Sequence, residues 1–338
     1  MSPRAPRAFF ATVVACLVAL ATLNAIVNPL GYYPTRRFPP LVWSSRRLKL
    51  DLAERAAPAQ VVVLGSSRAM KLAPSSIAAR SGLGAFNAAV DSARVEDWLA
   101  LYRFVTERRA WPVREVVIGV DVEAFHDHLE PDPRLLGEAR LRAFLPVSMR
   151  VDGVGHILAA LFSFDQTRHA IASLRLALAG ARPREETEFG ADGGIVRDAA
   201  DVIDGGGPDS EPSLAEYENR FAGYQHLDPR RLALFEELLA AADARGVTVR
   251  AFVTPLSDAL RARLAKTRRL EALHAELTAA LAAARARHPS LRVVVDALDV
   301  RAVGGDPRAF YDGAHVRAGN AERLIDALYP TVRGDAVQ

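Results

Sequence analysis

The chain has 338 residues, half of them hydrophobic and a quarter charged, which excludes a disordered or fibrous protein and leaves room for one large domain with a substantial core. Formal net charge is only +3, the basic residues are almost all arginine, and lysine stands only at Lys49, Lys71 and Lys266. No zinc-finger spacing, RNP-like strand or basic helix interleaved with aromatics occurs, so nothing points to nucleic acid as a partner.

The first predicted element is the apolar run 8–27, AFFATVVACLVALATLNAIV, whose one strongly polar member is Asn24. Twenty residues at 1.5 Å each cross a hydrocarbon core of roughly 30 Å. Arg4 and Arg7 precede it, and Arg36, Arg37, Arg46, Arg47 and Lys49 follow. Counting those charges alone points weakly to an outside N-terminus. The short basic head running directly into the apolar core has instead the shape of a secretory signal, which sets the N-terminus inside. No small-x-small site closes the run. Val13-Val14-Ala15-Cys16 has the form of a lipoprotein site but leads into further apolar residues, so an uncleaved anchor is preferred. Cys16 is the one cysteine, and no disulfide is expected. The expected order is a basic cytoplasmic head at 1–7, a transmembrane anchor or uncleaved signal at 8–27, a connector at 28–58, an α/β domain at 59–332 and a tail at 333–338. That order predicts a single-pass membrane protein with its large domain on the extracytoplasmic side.

In the connector, Asn28-Pro29, Gly31, Pro34 and Pro39-Pro40 break any long element. Val42-Trp43 is expected to pack on the domain or lie near the lipid interface. A short helix over 46–57 stops at Pro58. A regular alternation follows: strand 61–64, helix 73–80, a short strand within 84–90, helix 95–109 and strand 113–120. After an interruption come helix 230–245, strand 247–253, a long or broken helix over 258–288, strand 291–295 and helix 317–328. Strands separated by helices predict a three-layer α/β fold, its central sheet mostly parallel and flanked by helices. The interruption, about 124–226, reads as an insertion. Its helical part, 133–178, is expected to pack on the sheet edge or form a lid that sets specificity. The remainder, 182–212 with Gly205-Gly206-Gly207-Pro208, is expected to be a mobile loop.

Two segments carry candidate chemistry. Ser67 follows the first strand through Gly65 and Ser66, and ligands of open α/β sheets bind beyond the carboxyl ends of the strands. From this segment alone, Ser67 is either a helix cap or an exposed nucleophile with backbone N–H groups nearby to hold an oxyanion. His315 follows the last strand, and Asp312 stands three residues before it, close enough in a turn to fix the imidazole tautomer. Arg68 either binds an anionic group of a substrate or pairs with Asp121. Asp91, Arg94, Glu123 and Thr254-Pro255 follow strands and are expected to line the pocket. His126 and His128, with Asp127, Glu123 and Asp132, have the composition of a metal cluster but no partner histidine nearby, so neither a metal nor another cofactor is expected. Gly82 and Gly84 do not make a dinucleotide fingerprint.

The order Gly65-x-Ser67, Asn87, Gly119-x-Asp121 and Asp312-x-x-His315 resembles that of the SGNH (GDSL-like) hydrolase superfamily, over about 61–121 and 247–330. With the N-terminal anchor, the Gly-Ser-Ser-Arg start and the Phe-Tyr-Asp-Gly-Ala-His end, it is similar to a membrane-anchored bacterial branch that modifies cell-surface polysaccharide or teichoic acid beside a multi-span membrane acyltransferase. The resemblance implies Ser67 as nucleophile, His315 as base and Asp312 as orienting acid. It implies an oxyanion hole from the Ser67 N–H and the backbone near Ala89, with Asp121 at the third block's position and Asn87 at the second. By their places beside these blocks Arg68, Asn87, Asp91 and Glu123 are expected toward the substrate. Three positions depart from the pattern: Ser66 replaces an Asp, Ala89 a Gly and Asp121 an Asn. A carboxylate at 121 would repel an oxyanion that an amide would stabilise, which keeps a catalytically inactive glycan-binding or assembly subunit as the alternative.

Overall fold

The computed structural model describes residues 4–330 except 34, 36, 40, 42–43, 181–186, 199–206 and 267–268. Pro34, Pro40, Val42-Trp43, Gly205-Gly206 and the tail at 333–338 lie outside the described residues. In chain order the helices are α1 (Arg4–Val27), α2 (Arg46–Arg55), α3 (Pro74–Ser81), α4 (Val95–Arg103), α5 (Pro133–Gly137), α6 (Ala139–Arg142), α7 (Val147–Leu161), α8 (Phe164–Leu178), α9 (Glu211–Arg220), α10 (Pro229–Arg245), α11 (Asp258–Ala265), α12 (Arg269–Arg287) and α13 (Ala318–Leu328). The strands are β1 (Val61–Leu64), β2 (Ala85–Asn87), β3 (Glu115–Val120), β4 (Glu188–Phe189), β5 (Ile195–Arg197), β6 (Thr248–Val253) and β7 (Leu291–Asp296).

The chain divides into two compact units, one of residues 1–46 and 131–186, the other of 47–130 and 187–338. In the first, α1 packs against α7 and α8. Its Arg7–Val27 stretch is long and apolar enough to cross a membrane.

The second unit holds a five-stranded sheet of order β2-β1-β3-β6-β7, with every neighbouring pair parallel. The β-branched run of β1 is fully buried, as a central parallel strand covered on both faces requires. Helix α4 packs on α10 and α3 on α13, forming the helical layers of a three-layer α/β architecture. Trp98, Phe125 and Phe235 meet edge-to-face between α4 and α10, with ring centroids 5.9 to 6.4 Å apart. Helix α10 begins where the Asp228 carboxylate accepts from Arg230 N at 2.8 Å and ends at Gly246, whose φ of +66° permits the left-handed cap.

The short strand expected within 84–90 is β2, which stops at Asn87 because that side chain turns back onto backbone. Two local expectations change. The segment expected as a mobile loop contains the β4–β5 hairpin, whose Asp192 carbonyl accepts from Asn87 N at 2.9 Å. It also leads into α9, whose Leu214, Tyr217 and Phe221 side follows helical spacing and is buried.

Candidate active site

The end of β1 is built for close approach. Gly65 has φ +138°, and a Cβ there would lie 2.6 Å from Ala69 Cβ and 2.9 Å from the Gly119 carbonyl oxygen. Glycine alone fits, and the turn it makes lifts Ser67 out beyond the carboxyl end of the strand. On the other side, the loop before α13 is clamped by the Phe310–Val316 bridge and by Tyr311 N donating to the His315 carbonyl at 2.8 Å. Two segments 248 residues apart therefore converge, with His315 Nε2 2.7 Å from Ser67 Oγ. The Asp312 carboxylate lies 2.8 Å from His315 Nδ1, while its other oxygen accepts the N–H groups of Ala314 and His315, each at 2.8 Å.

Burial alone would raise the Asp312 carboxyl. The facing His315 and the two backbone N–H groups outweigh it and hold the carboxyl well below the usual range. Asp312 is thus an acceptor only, so the Nδ1 proton points at it. Nε2 is left bare to accept from the Ser67 hydroxyl.

Arg68 leaves the site instead of lining it. Its buried guanidinium forms an ion pair with Glu123, donates to Thr254 Oγ1 at 3.1 Å and lies 3.4 Å from Asp121 Oδ1. Thr254 donates to the same Asp121 oxygen at 2.7 Å, and Ser66 also hydrogen-bonds that carboxylate. Burial works against the Arg68 charge, but Asp121 and Glu123 outweigh it and strengthen its hold on the proton. Burial pushes the Asp121 carboxyl upward, with Arg68 pulling the other way and Glu123 adding to the rise. Of the two readings open for Arg68, the geometry is that of the ion pair, and Glu123 joins it. Asp121, expected in the oxyanion hole, is held by Arg68, Thr254 and Ser66.

Two further placements differ from expectation. Asn87, expected to face substrate, is fully buried. Its amide donates to the carbonyls of Ala69 and Leu72 at 3.0 and 2.9 Å, and its oxygen accepts from Ala89 N at 3.0 Å. It therefore ties the loop after Ser67 to the end of β2, and the Ala89 N–H is used there. Among the described residues nothing accepts from the Ser67 N–H. Asp91 is partly exposed in the turn after β2.

Tyr217 and Lys49 were not anticipated. Tyr217 on α9 places its hydroxyl 3.1 Å from His315 Nδ1 and 3.5 Å from Asp312 Oδ2, and the guanidinium groups of Arg68 and Arg220 stand 5.6 and 4.8 Å from its ring centre. Burial and the adjacent Asp312 push its phenol far above the ordinary value, so it stays protonated. The fully buried Lys49 Nζ donates to the carbonyls of Asn87 and Gly193 at 2.8 and 2.5 Å, under the Phe189 ring, and pins the β4–β5 hairpin to β2. A helical i, i+3, i+7 pattern from Leu214 was the available signal for Tyr217; nothing in the sequence marks Lys49.

Elsewhere, His126 stacks on Tyr224 at 4.5 Å, with Nε2 donating to the Ala222 carbonyl and Nδ1 accepting from His128 N. Both ring nitrogens are used. No group of three or more His, Cys, Asp or Glu able to hold a metal occurs among the described residues. Comparison with known proteins finds no family model that matches the chain and no curated protein that matches it.

Proposed function

We propose that the chain is a membrane-anchored, extracytoplasmic serine-dependent O-acyltransferase or esterase acting on acyl groups of a cell-surface glycan or related polymer. The observation that carries this reading is the unbroken run Ser67–His315–Asp312, with separations of 2.7 and 2.8 Å. Ser67 Oγ attacks the acyl carbonyl and its proton passes to His315 Nε2. The carbon–oxygen bond of the donor breaks, and the leaving oxygen takes that proton. An acyl-serine results. Water or a sugar hydroxyl then attacks it, giving its own proton to His315; the acyl–Oγ bond breaks and Ser67 Oγ takes that proton back. The free Ser67 N–H is the first candidate to hold the oxyanion. Arg68, Asp121, Glu123 and Thr254 form the rigid floor behind the nucleophile. The membrane and a multi-span acyltransferase are the partners the resemblance suggests.

A second reading, a catalytically inactive glycan-binding or assembly subunit, is favoured by the Ala89 N–H being occupied and by a carboxylate standing at 121. Turnover of aryl acetates and acetylated sugars by the detergent-solubilised full chain separates the two. The catalytic reading expects turnover that Ser67→Ala and His315→Ala each reduce by roughly 10³-fold or more. Glycan binding that is unchanged in both variants, with no turnover by the parent protein, would leave the second reading standing.

A further inference from the structure

Within the first unit, the last turns of α1 are not bare. Asn24 is fully buried, and its amide donates to the Leu161 carbonyl at 2.8 Å and to Thr167 Oγ1 at 3.0 Å. Tyr33 donates to the Ile157 carbonyl at 3.0 Å, and Thr35 to the Ala25 carbonyl at 2.6 Å. The corner between α7 and α8 is therefore fixed to the end of the apolar helix from which the rest of the chain departs. Asn24 stands three residues before Val27, the last residue of α1. That is about 4.5 Å along a helix axis. Whatever layer holds the end of α1 also holds this corner.

The surfaces carried by the corner are apolar where a solvated helix would be charged. On α7, Val147, Val151, Val154 and Leu158 recur at helical spacing and are all exposed, Val151 at 66%, and the stripe continues to Phe162. Phe164, at the start of α8, is 84% exposed. Along α8, Phe164, Ile171 and Leu178 share an exposed side with Arg168 and Arg175, while Gln166, Ala170 and Ser173 face inward. Apolar anchors alternating with arginines suit a helix lying at the boundary between acyl chains and headgroups, where the guanidinium groups reach the polar layer. Exposed apolar stripes of this extent mark an interaction surface.

We propose that the α7–α8 corner is a second membrane-contacting element, its exposed apolar faces buried in the interfacial layer of the bilayer beside the exit of α1. The occupant is lipid, because the corner is bonded to the end of the one described helix that is long and apolar enough to cross a bilayer. The inference rests on α1 spanning the membrane. It also gives Asn24 a purpose, since a polar side chain near the end of a span is stabilised by partners on neighbouring helices. Removal of α1 by cleavage would strip the cover from the Leu161 carbonyl and the inner face of α8, which supports a retained anchor.

The test is a nitroxide scan of the full chain in proteoliposomes, in a Cys16→Ser background, with single cysteines at Leu158, Phe164 and Ile171. Leu17→Cys reports on the span and Ala272→Cys, exposed on α12, on bulk water. Labels at 158, 164 and 171 should collide several-fold more often with oxygen than with an aqueous nickel chelate, relative to the label at 272. Collision frequencies at 158, 164 and 171 equal to those at 272 would place the faces in water and overturn the proposal. Shielding from both reagents would mean a protein cover, a partner or a second copy, and would equally overturn it. Loss of lipid exposure at 17 would remove the anchored reading itself, a result distinguishable from failure at the α7–α8 corner alone.

Discussion

Replacing Asp312 by asparagine tests the proposed relay with the least change in shape. In the parent chain one carboxylate oxygen takes the N–H groups of Ala314 and His315 and the other takes the imidazole. An amide has one acceptor oxygen, and two backbone donors at 2.8 Å compete for it more strongly than one ring nitrogen. The carboxamide oxygen stays on the backbone and its NH₂ faces His315 Nδ1. That donor makes Nδ1 the bare nitrogen, moves the ring proton to Nε2 and points it at Ser67 Oγ, where a base is needed. The turn keeps its backbone bonds but loses the carboxylate charge that His315 and the two N–H groups stabilise, so folding should weaken by about 1–3 kcal/mol. The chemical step should slow roughly 10⁴-fold, or about 5.5 kcal/mol, the size of effect known for a reversed tautomer in a serine triad. Single-turnover acylation with an aryl ester, beside a thermal melt of the same variant, reads both numbers. A variant that is folded at the assay temperature and acylates within tenfold of the parent would refute the reasoning.

Tyr217→Phe removes a hydroxyl shared between Asp312 and the imidazole. It should shift the pH profile of acylation and cut its rate by roughly tenfold, because a charge-adjacent hydrogen bond is lost while the packing remains. An unchanged pH profile would make Tyr217 a packing residue only. Gly65→Ala should destabilise the second unit by about 3 kcal/mol or more, since the new methyl meets Ala69 and the Gly119 carbonyl at a backbone angle alanine resists; a normal urea midpoint would contradict it. Lys49→Met leaves the Asn87 and Gly193 carbonyls without their donor and should cost about 2–4 kcal/mol, at roughly 1–2 for each orphaned acceptor, with faster proteolysis at the β4–β5 hairpin. Burial holds Lys49 well below its ordinary value, and a neutral amine still donates to both carbonyls. His288 lies 2.6 Å from Asp243 and 2.7 Å from Glu236, and although burial lowers its pKa, these carboxylates raise it overall. The folded-state value then exceeds the unfolded one, near 6.5. The stabilisation is complete below about pH 6.5 and is lost as pH rises through the folded-state value. Denaturation midpoints between pH 5.5 and 9 should fall with pH in the parent and lose that component in His288→Gln.

The parallel strands were legible because β1, β3, β6 and β7 are short apolar runs separated by helices with clear periodicity. The rule that ligands sit beyond strand ends placed Ser67 and His315 at one edge, and their side chains lie 2.7 Å apart. Other features left no trace a pattern could find. The hairpin strands are two and three residues long, and a buried lysine, a residue type usually solvated, holds them to β2. Asn87 reads as a pocket residue only through the resemblance, which puts an Asn-bearing strand end second; here three loop carbonyls and the Ala89 N–H absorb it. Arg68 reads as a ligand contact or, with a slight preference, an ion pair, and the positions of Asp121 and Glu123 decide for the ion pair. Tyr217 lay in a segment whose glycines and acidic residues masked one amphipathic turn.

The most direct measurement is the mass and peptide map of the full-length chain after brief exposure to a fluorophosphonate at neutral pH. The account predicts one adduct per chain, on the peptide carrying Ser67, formed at least 10³-fold more slowly in His315→Ala. An adduct on another serine, or labelling of Ser67 at the same rate without His315, would contradict it.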